Sequence, residues 1–195
     1  MVTDLTDRQL VSARKRSKRY RNVSVKSCDY HDLSEISKIK YDLIFMVETL
    51  CHSGRKAEVA KQVHSALTNN GYFLVFDGYK TIKKKDMGDI ERKASELVEK
   101  GMAVEDFEYH ETAKSEIEKS GFSITEDLDL SEHIKPSLLR LERRADFFHT
   151  HPRITNILLK IWPPEFAYNS ISAALMRPTT DAGIFGYYAT VFQKE

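Results

Sequence analysis

Apolar positions along the chain recur with two alternating periods, one near two residues and one near 3.6. Val2 to Leu5 reads as a short strand, Asp7 to Tyr20 as a helix with Thr6 at its N-cap, and Val23 to Ser27 as a second strand. Asp42 to Glu48 (DLIFMVE) is the near-continuous apolar run expected of a strand buried on both faces. Arg55 to Leu67 sets Val59, Ala60, Val63 and Leu67 on one helical stripe, and Asn69-Asn70-Gly71 stops it. Tyr72 to Asp77 (YFLVFD) is the next buried strand, and Gly78 lets the chain leave it sharply.

The second half is mainly helical. Asp89 to Lys100 places Ile90, Ala94, Leu97 and Val98 on one face, and His110 to Ser120 runs to Gly121, where a strand over Phe122 to Leu128 begins. Residues 131 to 177 read as helix broken at Pro152 and at Pro163-Pro164, and Gly186 to Gln193 closes the chain as a strand. Strands alternating with helices predict an α/β fold with a Rossmann-like, mostly parallel sheet and right-handed crossovers. There is no internal repeat, so residues 1–195 are expected to form one domain, with 131–182 as a helical cap inserted before the last strand.

Composition narrows the class. With 195 residues, 41% of them hydrophobic, the chain can bury one substantial core. Its net charge of +1 and mean hydropathy of −0.46 suit a soluble protein, and no apolar run is long enough to span a bilayer. Met1 leads into Asp4, Asp7 and Arg8 instead of a signal-peptide core. Cys28 and Cys51 make neither a disulfide framework nor a metal knuckle, so a reducing cytoplasm is expected. Residues 1 to 26 carry eight Lys or Arg against two acids. Leu10, Val11, Ala13 and Tyr20 supply a buried stripe there, so the basic residues read as its solvated face and nucleic acid is not the expected partner.

In an open α/β sheet the ligand crevice lies at the carboxyl ends of the strands. Three acids fall at such ends: Asp4 after the first strand, Asp29 after the second and Glu48 after the third. A carboxylate there can accept both hydroxyls of a ribose, or read an exocyclic amine while a base stacks on its neighbour. His52, just beyond the third strand, suits a general base, its alternative being to cap the following helix or line the pocket. Cys51 reads as packing, Lys83-Lys84-Lys85 as a solvated loop at the crevice rim, and His149 and His151 as surface; no metal site is expected. One of Tyr187 and Tyr188 should pack in the core while the other faces the cap, and Trp162 should anchor the insert.

The succession VTDLTDRQ, NVSVKSCDYHDL, KYDLIFMVETLCHSG, ALTNNGYFLVFDGY and EIEKSGFSI resembles the class I S-adenosylmethionine-dependent methyltransferases, especially their small-molecule members. The resemblance implies methyl transfer from S-adenosylmethionine to a small-molecule acceptor. It makes Asp4, with Leu5, the ribose-holding acid, Asp29 the partner of the adenine amine, Tyr30 a neighbour of the adenine plane, and Glu48 a cofactor or substrate contact. His52 would stand near the transferred methyl group.

One departure from the family is large. Its first strand and Gly-rich loop should precede Val2, yet the first glycine here is Gly54. That loop lets backbone N–H groups approach the ligand, so cofactor affinity should suffer. A truncated record is the plainest explanation, by a late start or a gene fragment, and true decay stands beside it. In the family the missing strand lies between those matched to Val2 to Leu5 and Asp42 to Glu48. Either these two pair directly, or the opening β-α-β unit is held loosely, or another chain fills the gap, which makes homo-oligomerisation through exposed sheet edges an expectation. Two competing readings are a non-catalytic methyltransferase-like binding protein and a nicotinamide-dependent dehydrogenase. The second lacks any Gly-rich fingerprint.

Overall fold

The computed structural model describes residues 1–163 and 165–195, so Pro164 of the Pro163-Pro164 break lies outside the described residues. The strands are β1 (Val2–Asp4), β2 (Val25–Ser27), β3 (Tyr41–Val47), β4 (Leu67–Lys80), β5 (Phe122–Asp129) and β6 (Phe185–Lys194). The helices are α1 (Asp7–Ser17), α2 (Lys56–Ala66), α3 (Asp89–Met102), α4 (His110–Glu118), α5 (Ser131–Thr150), α6 (Pro152–Ile161) and α7 (Glu165–Asp181). The α/β class and the helical insert before the last strand are as expected, with α5 to α7 between β5 and β6. Among the described residues no helix is long and apolar enough to cross a membrane.

The strands form two separate sheets, a parallel pair β1-β2 and a four-stranded sheet in the order β3-β4-β6-β5. The larger sheet is mixed, because β3 and β4 run parallel while β6 runs against both β4 and β5. Its centre is a stack of rings from three strands, Phe73, Phe122 and Phe192, with centroids 5.9 to 6.3 Å apart. Val59, Val63 and Ala66 of α2 close over this stack, so the predicted stripe is the buried one. Burying each large aliphatic or aromatic side chain there contributes roughly 1.5–3 kcal/mol.

Several local expectations are corrected. The chain does not leave the sheet at Gly78: β4 continues to Lys80, Gly78 pairs with Tyr187, and the extra length is held by the antiparallel ladder to β6. Asn69-Asn70-Gly71 lies within β4 as an irregularity around Asn70 at φ 59°, and α2 already ends at Ala66. On α3 the buried positions are Ser95, Val98, Glu99 and Gly101 while Ile90 is 86% exposed, because α3 turns its small-residue face to α7. A Cβ on Gly101 would lie 2.3 Å from the Ser172 Cβ and 2.4 Å from the Tyr168 carbonyl, so glycine sets that close helix approach. On α1 only Leu10 is buried, and Val11 and Tyr20 are exposed. All eight basic residues of the opening stretch are solvent-facing. Trp162 packs against Phe166 and Phe148 in the insert, as an anchor should.

The third strand departs most. Ile44 and Met46 pack on the core, but Leu43, Phe45 and Val47 are 49%, 65% and 48% exposed, because among the described residues no element covers that face. β1 does not pair with β3. A strand residue sends its N–H and C=O to the same side, alternating along the chain. The Val2 N–H reaches the Ser24 carbonyl and the Asp4 carbonyl accepts the Cys28 N–H, so the backbone groups of Thr3 point away from β2. Likewise the Glu48 N–H reaches the Phe76 carbonyl, which turns the backbone groups of Leu43 and Phe45 away from β4. Residues of both edges, Val2 to Asp4 and Leu43 to Val47, line one open slot.

Candidate functional site

The slot is a cleft of about 730 Å³ lined along β1 and β3, from Met1 and Tyr41 at one end to Leu5, Glu48 and His52 at the carboxyl ends of the strands. Asp4, Leu5, Tyr30, Glu48 and His52 all line it, so the structure brings five of the six sequence-selected residues together. Asp29 is not among the lining residues; it precedes Tyr30 in the chain, and its half-exposed carboxylate is engaged by His31.

Each position has a local cause. The Asp4 Oδ1 accepts the Thr6 N–H at 2.7 Å, a turn that orients the carboxylate at the end of β1. Thr6 occupies the N-cap of α1 in extended backbone, but its hydroxyl makes no capping bond. Glu48 follows β3 at φ 50°, a left-handed conformation rare for a residue with a Cβ. That twist re-aims its side chain, and the Tyr187 hydroxyl donates to Glu48 Oε1 at 3.4 Å. Burial, and then the Glu48 and Asp77 carboxylates, push the Tyr187 hydroxyl up to about 12, so it remains a proton donor at neutral pH. Burial raises the Tyr30 hydroxyl as well.

The residue that builds the turn after β3 is Asp77, a buried carboxylate at 1% exposure. Its Oδ2 accepts the N–H groups of Thr49 and Cys51 at 3.2 and 2.9 Å, and its Oδ1 accepts the Gly78 N–H at 2.9 Å. This fixes the single helical turn Leu50–His52 and presents the exposed His52 ring to the cleft. Burial first, and Asp77 second, push the Cys51 thiol far above its ordinary range, so it stays an S–H and packs. A charged residue ending the apolar run YFLVFD was the available signal for Asp77.

Tyr187 and Tyr188 diverge across β6, Tyr187 toward Glu48 and Tyr188 onto the His110 ring at 3.7 Å between centroids. His110 is part of a second polar cluster. Its Nε2 lies 3.4 Å from Asp127 Oδ1, and Lys114 Nζ is 2.7 Å from both an Asp127 and a Glu111 oxygen. His110, Glu111 and Asp127 bring three ligand-type atoms within 4.8 Å, but Lys114 already bridges both carboxylates, which makes this an ion network.

The cluster predicts a pH dependence. Burial depresses the His110 imidazole despite Asp127, and burial with nearby Lys194 depresses His64. Unfolded histidine titrates near 6.5, so below about that pH the unfolded chain takes up protons that the folded one refuses. Asp127 extends the trend to lower pH, below the histidine window: burial would raise its carboxyl, but bonds from Lys114 and Thr190 outweigh this and lower it. Its stabilisation is present above the ordinary carboxylate value and is lost as pH falls through the depressed one. The urea midpoint is expected to fall from pH 7 to pH 5, and His110→Gln should flatten that decline in part; an unchanged slope would contradict the assignment.

Residues 1–73 match the family model described as a methyltransferase domain. No curated protein sequence matches significantly. Among solved structures, the chain is similar to one described as a sarcosine dimethylglycine methyltransferase from Galdieria sulphuraria, with TM-score 0.73 and 14% identity, covering 99% of this chain and 68% of that one. It is similar to the cyclopropane synthase MmaA2 from Mycobacterium tuberculosis, with TM-score 0.74 and 13% identity over 98% and 68% of the two chains. The geranyl diphosphate C-methyltransferase from Streptomyces coelicolor gives TM-score 0.69 and 10% identity over 99% and 62%. The chain has the class I methyltransferase fold, and it spans roughly two thirds of the length of these structures.

Proposed function

We propose that the cleft binds S-adenosylmethionine and that the protein transfers its methyl group to a small-molecule acceptor. The observation that carries this reading is the convergence of Asp4, Leu5, Tyr30, Glu48 and His52 on one cleft at the strand ends. Similar proteins support it, since a geranyl diphosphate methyltransferase was solved with S-adenosylmethionine and a Haemonchus contortus phosphoethanolamine methyltransferase with S-adenosylhomocysteine.

The nucleoside half of the cofactor fits the residues present. Asp4 has one carboxylate oxygen free of protein partners among the described residues for the ribose, Leu5 and Tyr30 offer apolar and aromatic surface, and Asp29 stands beside Tyr30 for the adenine amine. The methionine half does not: no glycine lines the cleft, so backbone N–H groups cannot approach closely there. The bound cofactor supplies a methyl group on a sulfonium. The chain positions the acceptor, with Glu48 and Tyr187 as a hydrogen-bonding pair and His52 as the base that removes the acceptor's proton. Residues 79–112 and 131–182 select the acceptor, the latter acting as a cap within a single domain working in a reducing cytoplasm. Calorimetry with S-adenosylmethionine and S-adenosylhomocysteine tests this. A Kd of about 1 mM or tighter, about −4.1 kcal/mol, is expected, and no heat at millimolar ligand overturns it.

A second reading rests on the same slot. The outward backbone groups of Thr3, Leu43 and Phe45 and the bare face of β3 favour an added strand, from another copy or another polypeptide. Sedimentation should then show association that Phe45→Lys removes.

A further inference from the structure

Next to the cleft residues Tyr30 and His52, three side chains form a continuous hydrogen-bonded relay. The Asp29 Oδ1 accepts the backbone N–H of His31 at 2.8 Å and lies 3.0 Å from His31 Nδ1. On the other side of the ring, His31 Nε2 lies 2.9 Å from the Ser53 hydroxyl oxygen, which also accepts the Arg55 N–H at 3.0 Å. Asp29 and His31 follow β2 of the small sheet, whereas Ser53 precedes α2 on the large one. The Leu33 N–H to Gln62 Oε1 bond, at 3.1 Å, crosses the same junction.

We propose that His31 is a positioning residue, which fixes the Asp29 carboxylate for the adenine amine and clasps it to the large sheet through Ser53. The hydrogen bonds fix one end of the protonation pattern. A carboxylate only accepts, so Nδ1 carries a proton; when the ring is neutral, Nε2 accepts the Ser53 hydroxyl hydrogen. Every donor in the relay has one acceptor. The remaining Asp29 oxygen has no protein partner among the described residues, and it is the one left to receive an amine. The pattern is not a hydrolytic triad, because Ser53 is 2% exposed and closed to a substrate. Tyr30, between the two linked residues, has its ring 4.5 Å from that of His31, so the relay also fixes the wall on which the base would lie.

The ligand half of this inference rests on the cofactor reading of the cleft, whereas the clasp can be tested without ligand. In the ligand-free protein, nitrogen-15 shifts of the His31 ring should report the Nδ1–H tautomer, and Asp29→Asn should shift the balance toward Nε2–H. A ring that is mostly Nε2–H in the wild type overturns the clasp. The second arm compares S-adenosylhomocysteine with its 6-oxo analogue, which lacks the amine. The wild type should prefer the amine, His31→Leu should lose about tenfold of that preference because Asp29 then keeps only the backbone N–H of residue 31 and can swing about it, and His31→Asn, whose amide can donate in place of Nδ1, should keep it. Unchanged preference in His31→Leu overturns the positioning role. Failure of the wild type to bind either ligand overturns the cofactor reading, and with it the role toward adenine, while the tautomer still decides the clasp.

Discussion

Replacing Asp77 by alanine is expected to destabilise the protein by about 3 kcal/mol or more, the largest effect of any single change near the cleft. The carboxylate is buried and receives three backbone N–H groups, from Thr49, Cys51 and Gly78. Alanine would leave three donors without their partner, the Cys51 N–H fully buried and those of Thr49 and Gly78 partly so, and each unsatisfied buried donor costs roughly 1–3 kcal/mol. Asp77→Asn would be milder, because the amide oxygen still accepts on one side while its NH₂ opposes an N–H on the other. Urea unfolding of the wild type, Asp77→Asn and Asp77→Ala should therefore give a graded series. A loss below about 0.5 kcal/mol for alanine, the size of an ordinary surface substitution, would show that Asp77 does not hold the turn. The consequence for function runs through the same bonds. Without them the turn Leu50–His52 loses its anchor, and the proposed base is no longer presented at a fixed place.

Much of the fold was legible because it follows from local pattern. The stripe Val59, Ala60, Val63 is the buried face of α2, and the apolar runs around Ile44 and Phe73 are strands. The carboxyl-end rule for α/β sheets is enough to place Asp4, Glu48 and His52 around one cleft. What stayed illegible depends on distant neighbours. DLIFMVE reads as buried on both faces, yet whether a strand face is covered is decided by elements far away, and here Phe45 is bare. Ile90 belongs to an apolar stripe by spacing, but α3 packs by its small residues because Gly101 admits α7. Gly78 has the look of an exit, and only its pairing with Tyr187 shows that the strand goes on. Asp77, His31 and Ser53 act through bonds across 22 to 28 residues of sequence, which no periodicity encodes.

Lys80→Met is the second change with a large expected cost, about 3–5 kcal/mol, for a reason that a companion variant can isolate. The Lys80 side chain is 4% exposed and its Nζ sits 2.5 Å from Glu99 Oε1, a carboxylate that is itself only 6% exposed and also accepts the Phe107 N–H at 3.0 Å. Burial alone would lower the Lys80 ammonium, but hydrogen bonds to Asp106 and Glu99 outweigh this and raise it, so it stays charged in the pair. Asp106 is mostly exposed and loses little when Lys80 is removed. Glu99 does not escape so cheaply: methionine fills the space but leaves an uncompensated charge on the buried face of α3. Adding Glu99→Gln removes that charge while its amide oxygen still serves the Phe107 N–H, so the double variant should regain at least half of the loss. Denaturant unfolding of the four proteins of this cycle checks it. If the double variant is instead the least stable, the cost of Lys80→Met comes from lost packing and not from the stranded carboxylate. The pair ties the end of β4 to α3 and the loop after it, within the region proposed to choose the acceptor. Lys80→Met should therefore raise the acceptor KM in assays at temperatures where it remains folded, and adding Glu99→Gln should bring the KM back with the stability.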